Sequence, residues 1–489
     1  MNSLISQCPA GFRLLLACLF LSAAAVGSAR EISYAILSSE STAADADWQE
    51  VIAALEKKYP GASKISFVDG DPAGALEQLV KLRPRYACFV ARHEEVTRAF
   101  VTQVHQLTRG LDDDPYADVF WGILTGHDAA NARSIASTSE PLVIERVASG
   151  TEVALEQCQE GVWYCELKKN RMVKKVKGGE PVESEGPDDT TRVLAETLND
   201  YKAQLFVTSG HATERDWQIG FRYRNGYFKS KDGQLFGLNT KGEKIDIVSP
   251  DPKVYMPIGN CLMGHIDGPD AMALAWLKSA GVRQMLGYTV PTWYGYSGWG
   301  CLDYFVEQPG RYSFAEAYLA SQHATIHRLE TCFPEVARVP LGGPNDAMKL
   351  GRKIRGSIPA QKLGLRAQDG VGLVFDRDAV AFYGDPAWDA CLADGKLAYG
   401  QTLTEKDGVW TFEVTPKIGS KSFEPVNENG AQRGWRPMVA FLPVRLEGKI
   451  EVLEGEDLGA VVTDDFVLLP NPREVEEGVA YRVKFRAVK

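Results

Sequence analysis

From residue 32 onward, short apolar runs and amphipathic helical stretches take turns along the chain, and this alternation restricts the fold more than any other feature. Residues 32–37 read as a strand, and Trp48, Val51, Ile52 and Leu55 then recur at helical spacing. Residues 65–68 form a second strand, and Leu76, Leu79 and Val80 mark a second helix after Pro72. A third strand at 86–90 precedes a helix with Val96, Phe100, Val104 and Leu107 on one face. Strands that alternate with helices cover both faces of a sheet, so the expected fold class is α/β with a mostly parallel sheet flanked by helices. The rhythm breaks at 151–187, where a basic hairpin-like segment meets a polar stretch rich in Gly, Pro and Glu. It resumes with a helix at 191–201, strands at 203–208 and 254–258, a helix at 270–279 closed by Gly281, and a strand at 282–290. Ser313 and Glu316 have the spacing of a reciprocal helix cap.

Beyond residue 395 the helical period disappears. Runs at 409–415, 438–446, 449–453, 466–469 and 481–488 are short, β-rich and separated by turn residues, which predicts a small β-sandwich. The expected organisation is therefore an N-terminal α/β subdomain at 30–150, a hairpin and polar connector at 151–187, a second α/β subdomain at 188–395 and the sandwich at 396–489.

Residues 1–29 carry one base, Arg13, then an apolar run from Leu14 to Val26 and a small-residue exit at Gly27, Ser28 and Ala29. This is the pattern of a secretory signal peptide; about 13 apolar residues are too few to span a bilayer. No later run is long enough to do so, and the mature chain is expected to be exported to a periplasmic, cell-surface or extracellular location without a membrane span. Removal of Cys8 and Cys18 leaves seven cysteines, so at least one thiol is unpaired. Cys158 and Cys165 flank a turn-like stretch, and their pairing is left open. With 54 Lys and Arg against 64 Asp and Glu, scattered along the chain, no basic face offers itself to nucleic acid.

Two apolar strands end abruptly in a reactive side chain among small residues. The first leads into Ser209, Gly210, His211 and Ala212; the second leads into Gly259, Asn260, Cys261, Leu262, Met263 and Gly264. In an open parallel sheet, chemistry collects at the carboxyl ends of the strands. A thiol becomes a strong nucleophile as the thiolate, which a nearby imidazole favours, and the same imidazole can protonate a leaving amine. Backbone N–H groups beside Gly210, Ala212 and Gly259 have room to approach a developing oxyanion.

These two blocks resemble the His and Cys blocks of the gingipain-type cysteine peptidases, a caspase-like family. Asp114-Pro115-Tyr116-Ala117-Asp118 with Trp121-Gly122-Ile123-Leu124-Thr125-Gly126 is similar to the segment that precedes the family's catalytic subdomain, and Phe382-Tyr383-Gly384-Asp385-Pro386-Ala387 to its closing element. The resemblance implies a caspase-like architecture followed by an immunoglobulin-like β domain, and peptide-bond hydrolysis of a protein or peptide substrate without a required cofactor. It also implies Cys261 as nucleophile, His211 as general acid and base, and an oxyanion hole from the amides of Cys261 and Ala212. Ala212 stands where the family usually has glycine, and its acidic specificity residue has no counterpart that the sequence places.

The alternative function is a non-catalytic relative that binds a peptide or surface partner in the same crevice. Trp293, Tyr294 and Trp299 belong to an aromatic, glycine-rich stretch that either walls a specificity pocket or covers the sheet edge. Asp112, Asp114 and Asp118 either hold a structural calcium ion or form a solvated loop. Cys301 is read as a loop residue, His265 as a neighbour of the site, and His323 and His327, four apart without a third ligand, as ordinary helix residues.

Overall fold

The computed structural model describes residues 33–292, 295–341, 347–355, 357–425 and 436–488. The expected signal peptide lies outside them. Twelve strands form one central sheet, eight of whose eleven strand pairings are parallel, and helices cover it. The first strands, Tyr34–Ser39, Ser63–Phe67 and Tyr86–Val90, fall where the apolar runs predict them, with helices Ala46–Lys58 and Arg98–Thr108 between and after them. Each of these helices is opened by a side chain that satisfies a free backbone N–H, Asp45 for the first and Thr97 for the second. The helix Phe314–Cys332 carries the predicted reciprocal cap between Ser313 and Glu316.

The sheet runs across the expected subdomain boundary. Strand Phe120–Leu124 meets strand Val380–Gly384 through a single residue pair, Ile123 with Tyr383, and Val380–Gly384 then runs antiparallel to Val282–Tyr288. The segment expected as a connector is instead the far edge of this sheet: Glu160–Tyr164, Arg171–Lys175 and Val182–Glu185 add to it in succession. The hairpin was legible; its partner was not, because the neighbouring strand Arg146–Ser149 is a four-residue run that begins with a charge and holds only Val147 and Ala148 as apolar residues.

The C-terminal part forms two small antiparallel sheets. One holds Tyr399–Lys406, Val409–Pro416, Lys449–Glu454 and Tyr481–Val488; the other holds Met438–Phe441, Val461–Val462 and Phe466–Leu469. Phe412, Val414, Met438, Val467, Leu469, Val483 and Phe485 pack between them. The alternation that buries these residues turns Val439, Phe466 and Leu468 toward the core of the central sheet. Among the described residues no helix is long and apolar enough to cross a membrane.

Candidate functional site

Strands Leu205–Thr208 and Lys253–Pro257 are direct parallel neighbours, with Leu205 opposite Val254 and Thr208 opposite Pro257. His211 follows the first strand by three residues and Cys261 the second by four, so both lie on loops leaving the carboxyl edge of the sheet, side by side. His211 is exposed and Cys261 partly so.

The two loops are fastened to each other by Asn260, which is fully buried. Its amide nitrogen donates to the Gly210 carbonyl at 3.0 Å, and its side-chain oxygen accepts from the Thr208 hydroxyl at 2.7 Å. Since the single Thr208 hydrogen is committed to Asn260, the Tyr255 hydroxyl 2.9 Å away is the donor to Thr208. Tyr255 in turn stacks on Trp276 with ring centroids 3.8 Å apart. A chain of buried hydrogen bonds thus sets the spacing of the His and Cys blocks.

The next strand, Val282–Tyr288, contributes from the other side. Past its end, the Thr292 N–H donates to Cys261 Sγ at 3.3 Å, and the Thr292 hydroxyl lies 3.7 Å from the same sulfur. Leu262 takes a left-handed backbone, φ 57°, directly after the thiol, and its N–H is held by the Val290 carbonyl at 3.2 Å. A branched residue in that conformation costs about 1 kcal/mol, and the bond to Val290 helps to hold it there. On the His side, the Trp217 indole donates to the Ser209 carbonyl and the Gln218 N–H to the His211 carbonyl. The N–H groups of Ala212 and Cys261 donate to no described residue.

Beneath the site lies the helix Tyr296–Phe305, buried along its whole length. Gly298 allows this contact: a Cβ there would stand 2.1 Å from the Ile258 carbonyl oxygen. Its first turn is tied down by Asp376, which accepts from the Ser297 N–H at 2.7 Å and the Tyr288 hydroxyl at 2.8 Å. Burial pushes the Asp376 carboxyl up to about 7 against those two hydrogen bonds and the charge of Arg436.

Several expectations need correcting here. Cys301 belongs to this helix, is fully buried and has its thiol pushed well up by burial, so it is no loop nucleophile. Trp299 sits in the same helix at 4% exposure, close under Gly259, which leaves it almost no surface for a ligand. The other two aromatic pocket residues, Trp293 and Tyr294, lie outside the described residues. Cys158 and Cys165 are both buried and unpaired; the Cys158 thiol faces the Ala154 carbonyl and Cys165 sulfur accepts from the Lys168 N–H. The His265 N–H closes a turn onto the Leu262 carbonyl, and no described contact joins its ring to His211 or Cys261. His323 and His327 are ordinary helix residues, as read: burial pulls them down to about 3 and about 4, and His323 bonds the Ala117 carbonyl.

The acidic cluster is rearranged as well. Asp112 and Asp118 meet Asp464, from the C-terminal part, with one oxygen of each within 4.8 Å of the others. Asp114 turns away to cap the Tyr116 N–H. The fit to calcium is poor, because the Arg445 guanidinium is already seated among these carboxylates, 3.3 Å from Asp118 and 2.9 Å from Asp464. It supplies the positive charge that a metal would bring, and Arg83 adds a second cation at 3.1 Å from Asp464.

Asn260, Thr292 and Phe221, whose ring lies tilted against that of His211, were missed in the sequence. Only Asn260 left a trace, as a polar residue wedged between Gly259 and the thiol. Comparison of the chain with protein-family models, curated proteins and solved structures finds no match.

Proposed function

We propose that the protein is an exported, gingipain-like cysteine endopeptidase in which Cys261 and His211 form the catalytic dyad. The observation that carries this reading is the parallel pairing of the two strands that deliver these residues, together with the Asn260 bridge between their loops. The resemblance of both blocks to the gingipain-type peptidases supports it from the sequence side.

In the proposed reaction the Cys261 thiolate, its proton held by His211, attacks the carbonyl carbon of the scissile bond. The carbonyl electrons move onto oxygen, where the free N–H groups of Cys261 and Ala212 are suited to receive the charge. Collapse of this adduct breaks the carbon–nitrogen bond as His211 gives its proton to the leaving amine. An acyl-thioester remains on Cys261. Water then attacks it, His211 takes the water proton and returns it to sulfur, and the carboxylic acid product departs. No metal takes part in these steps.

A peptidyl chloromethyl ketone tests the proposal. The expected result is one label per chain, on Cys261, lost in Cys261→Ala and strongly slowed in His211→Ala, with peptide hydrolysis following the same order. An unlabelled, non-hydrolysing protein that still binds peptides would favour the binding-module reading instead.

A further inference from the structure

We propose that Phe221 forms the floor of a substrate subsite on the leaving side of the scissile bond and takes an apolar side chain from the residue that follows it. The inference rests on the peptidase reading above and deepens it. Among the exposed large apolar side chains of the described residues, Phe221 is the aromatic one, at 41% exposure. One surface of its ring lies against the imidazole of His211, with centroids 4.6 Å apart and planes inclined by 31°. The remainder faces outward beside the candidate acid.

The loop that carries Phe221 is built to hold the ring there. Its own N–H donates to the Glu166 carbonyl at 2.6 Å, and the Arg222 N–H donates to the same oxygen at 3.2 Å. One residue on, the Tyr223 hydroxyl bonds the Cys165 carbonyl at 2.8 Å. Cys165 and Glu166 directly follow the central-sheet strand Glu160–Tyr164, so the loop is moored to the sheet at three points. Gly210, with φ 96°, completes the surface: a Cβ there would touch Phe221 at 3.7 Å, and the backbone conformation is one that glycine adopts freely. A ring fixed in solvent by backbone bonds gains from being covered, and a phenyl surface is covered best by an apolar group.

The side of the bond follows from the chemistry. His211 delivers its proton to the leaving nitrogen, so the part of the peptide beyond the scissile bond must pass His211. A surface in contact with the imidazole therefore meets the residue that begins the leaving fragment.

Digestion of a proteome-derived peptide library by the full mature chain, with cleavage sites read by mass spectrometry and Cys261→Ala as blank, tests this. The expected result is enrichment of Leu, Ile, Met and Phe directly after the cleaved bond. Phe221→Ser should lose that enrichment and raise KM for such peptides about tenfold, the scale of one apolar pocket contact, and Phe221→Leu should restore both. Cleavage without preference at that position overturns the inference and leaves the peptidase reading standing. So does a Phe221→Ser protein that cleaves all peptides more slowly with the preference intact, since Phe221 would then only steady His211. Absence of both cleavage and Cys261 labelling removes the peptidase reading and the subsite with it.

Discussion

At the carboxyl edge of the central sheet, His211 is exposed and Cys261 partly so, and neutral hydrogen bonds hold their loops from behind; at the joint with the C-terminal sheets, buried Asp118 and its half-buried neighbours are held by opposite charge. Asn260, Thr208 and Tyr255 carry no charge, yet they set the spacing of the His211 and Cys261 loops. At the joint, Arg445 sits among Asp118, Asp464 and Asp465. The difference follows from what each region must do. In the proposed peptidase a neutral scaffold leaves the electrostatics of the site to His211 and Cys261, whereas the joint gains from opposite charges that hold two parts of the fold together.

Four measurements test that contrast, beginning with loss of the reaction itself. Cys261→Ala should abolish hydrolysis and His211→Ala should lower kcat by about 10²–10⁴-fold, both with unchanged thermal midpoints, because the two residues are exposed or partly so. A large loss of stability in either variant would show that the cleft is also part of the scaffold. Arg445→Ala should cost about 1–3 kcal/mol in urea unfolding, since it removes the cation shared by buried Asp118 and half-buried Asp464 and Asp465, yet Cys261 labelling at low denaturant should persist. Loss of labelling in a folded Arg445→Ala protein would couple joint and cleft.

Asn260→Ala should cost about 1–3 kcal/mol, leaving the Thr208 hydroxyl and the Gly210 carbonyl without their buried partner, and should lower kcat more than it changes KM. Equal stability and activity to the parent chain would deny it the spacing role. The last measurement concerns pH. The folded-state carboxyl of Asp376 is raised to about 7, above the unfolded value near 4, so the native state holds the extra proton between those limits. This stability is complete below about pH 4 and is lost as pH rises through about 7. Asp376→Asn, which keeps an oxygen to accept from Ser297 and Tyr288, should therefore flatten the fall in urea midpoint between about pH 4 and 7. An unchanged slope would move its origin elsewhere.

The parts that were legible in the sequence are those where one physical pattern acts alone. The strands that deliver His211 and Cys261 are uninterrupted apolar runs that stop at a polar residue, so both their existence and their reactive ends could be read. The helix Tyr296–Phe305 was hidden because it is buried on every side and carries Gly298 and Gly300, which erases both the amphipathic period and the propensity signal. Similarly, the antiparallel sheet of Asp216–Gln218, Tyr227–Lys231, Gln234–Leu238 and Lys244–Asp246 lies between the two reactive blocks but is made of short, charged strands. Partners distant in the chain were not legible at all, as with Arg445, whose carboxylate Asp118 lies 327 residues before it.

That distance matters most at strand Val380–Gly384, which wedges between Phe120–Leu124 and Val282–Tyr288. More than half the chain separates Ile123 from the Tyr383 that pairs with it. During synthesis, the first four strands thus present an apolar edge at Phe120–Leu124 with no native cover until the wedge strand has emerged. Loop-closure entropy opposes this pairing more than any between successive strands, so closure of the sheet belongs late in folding. A chain handed to a chaperone before that point carries its two future halves side by side and unjoined, and the interval before closure is when edge-to-edge aggregation competes most strongly.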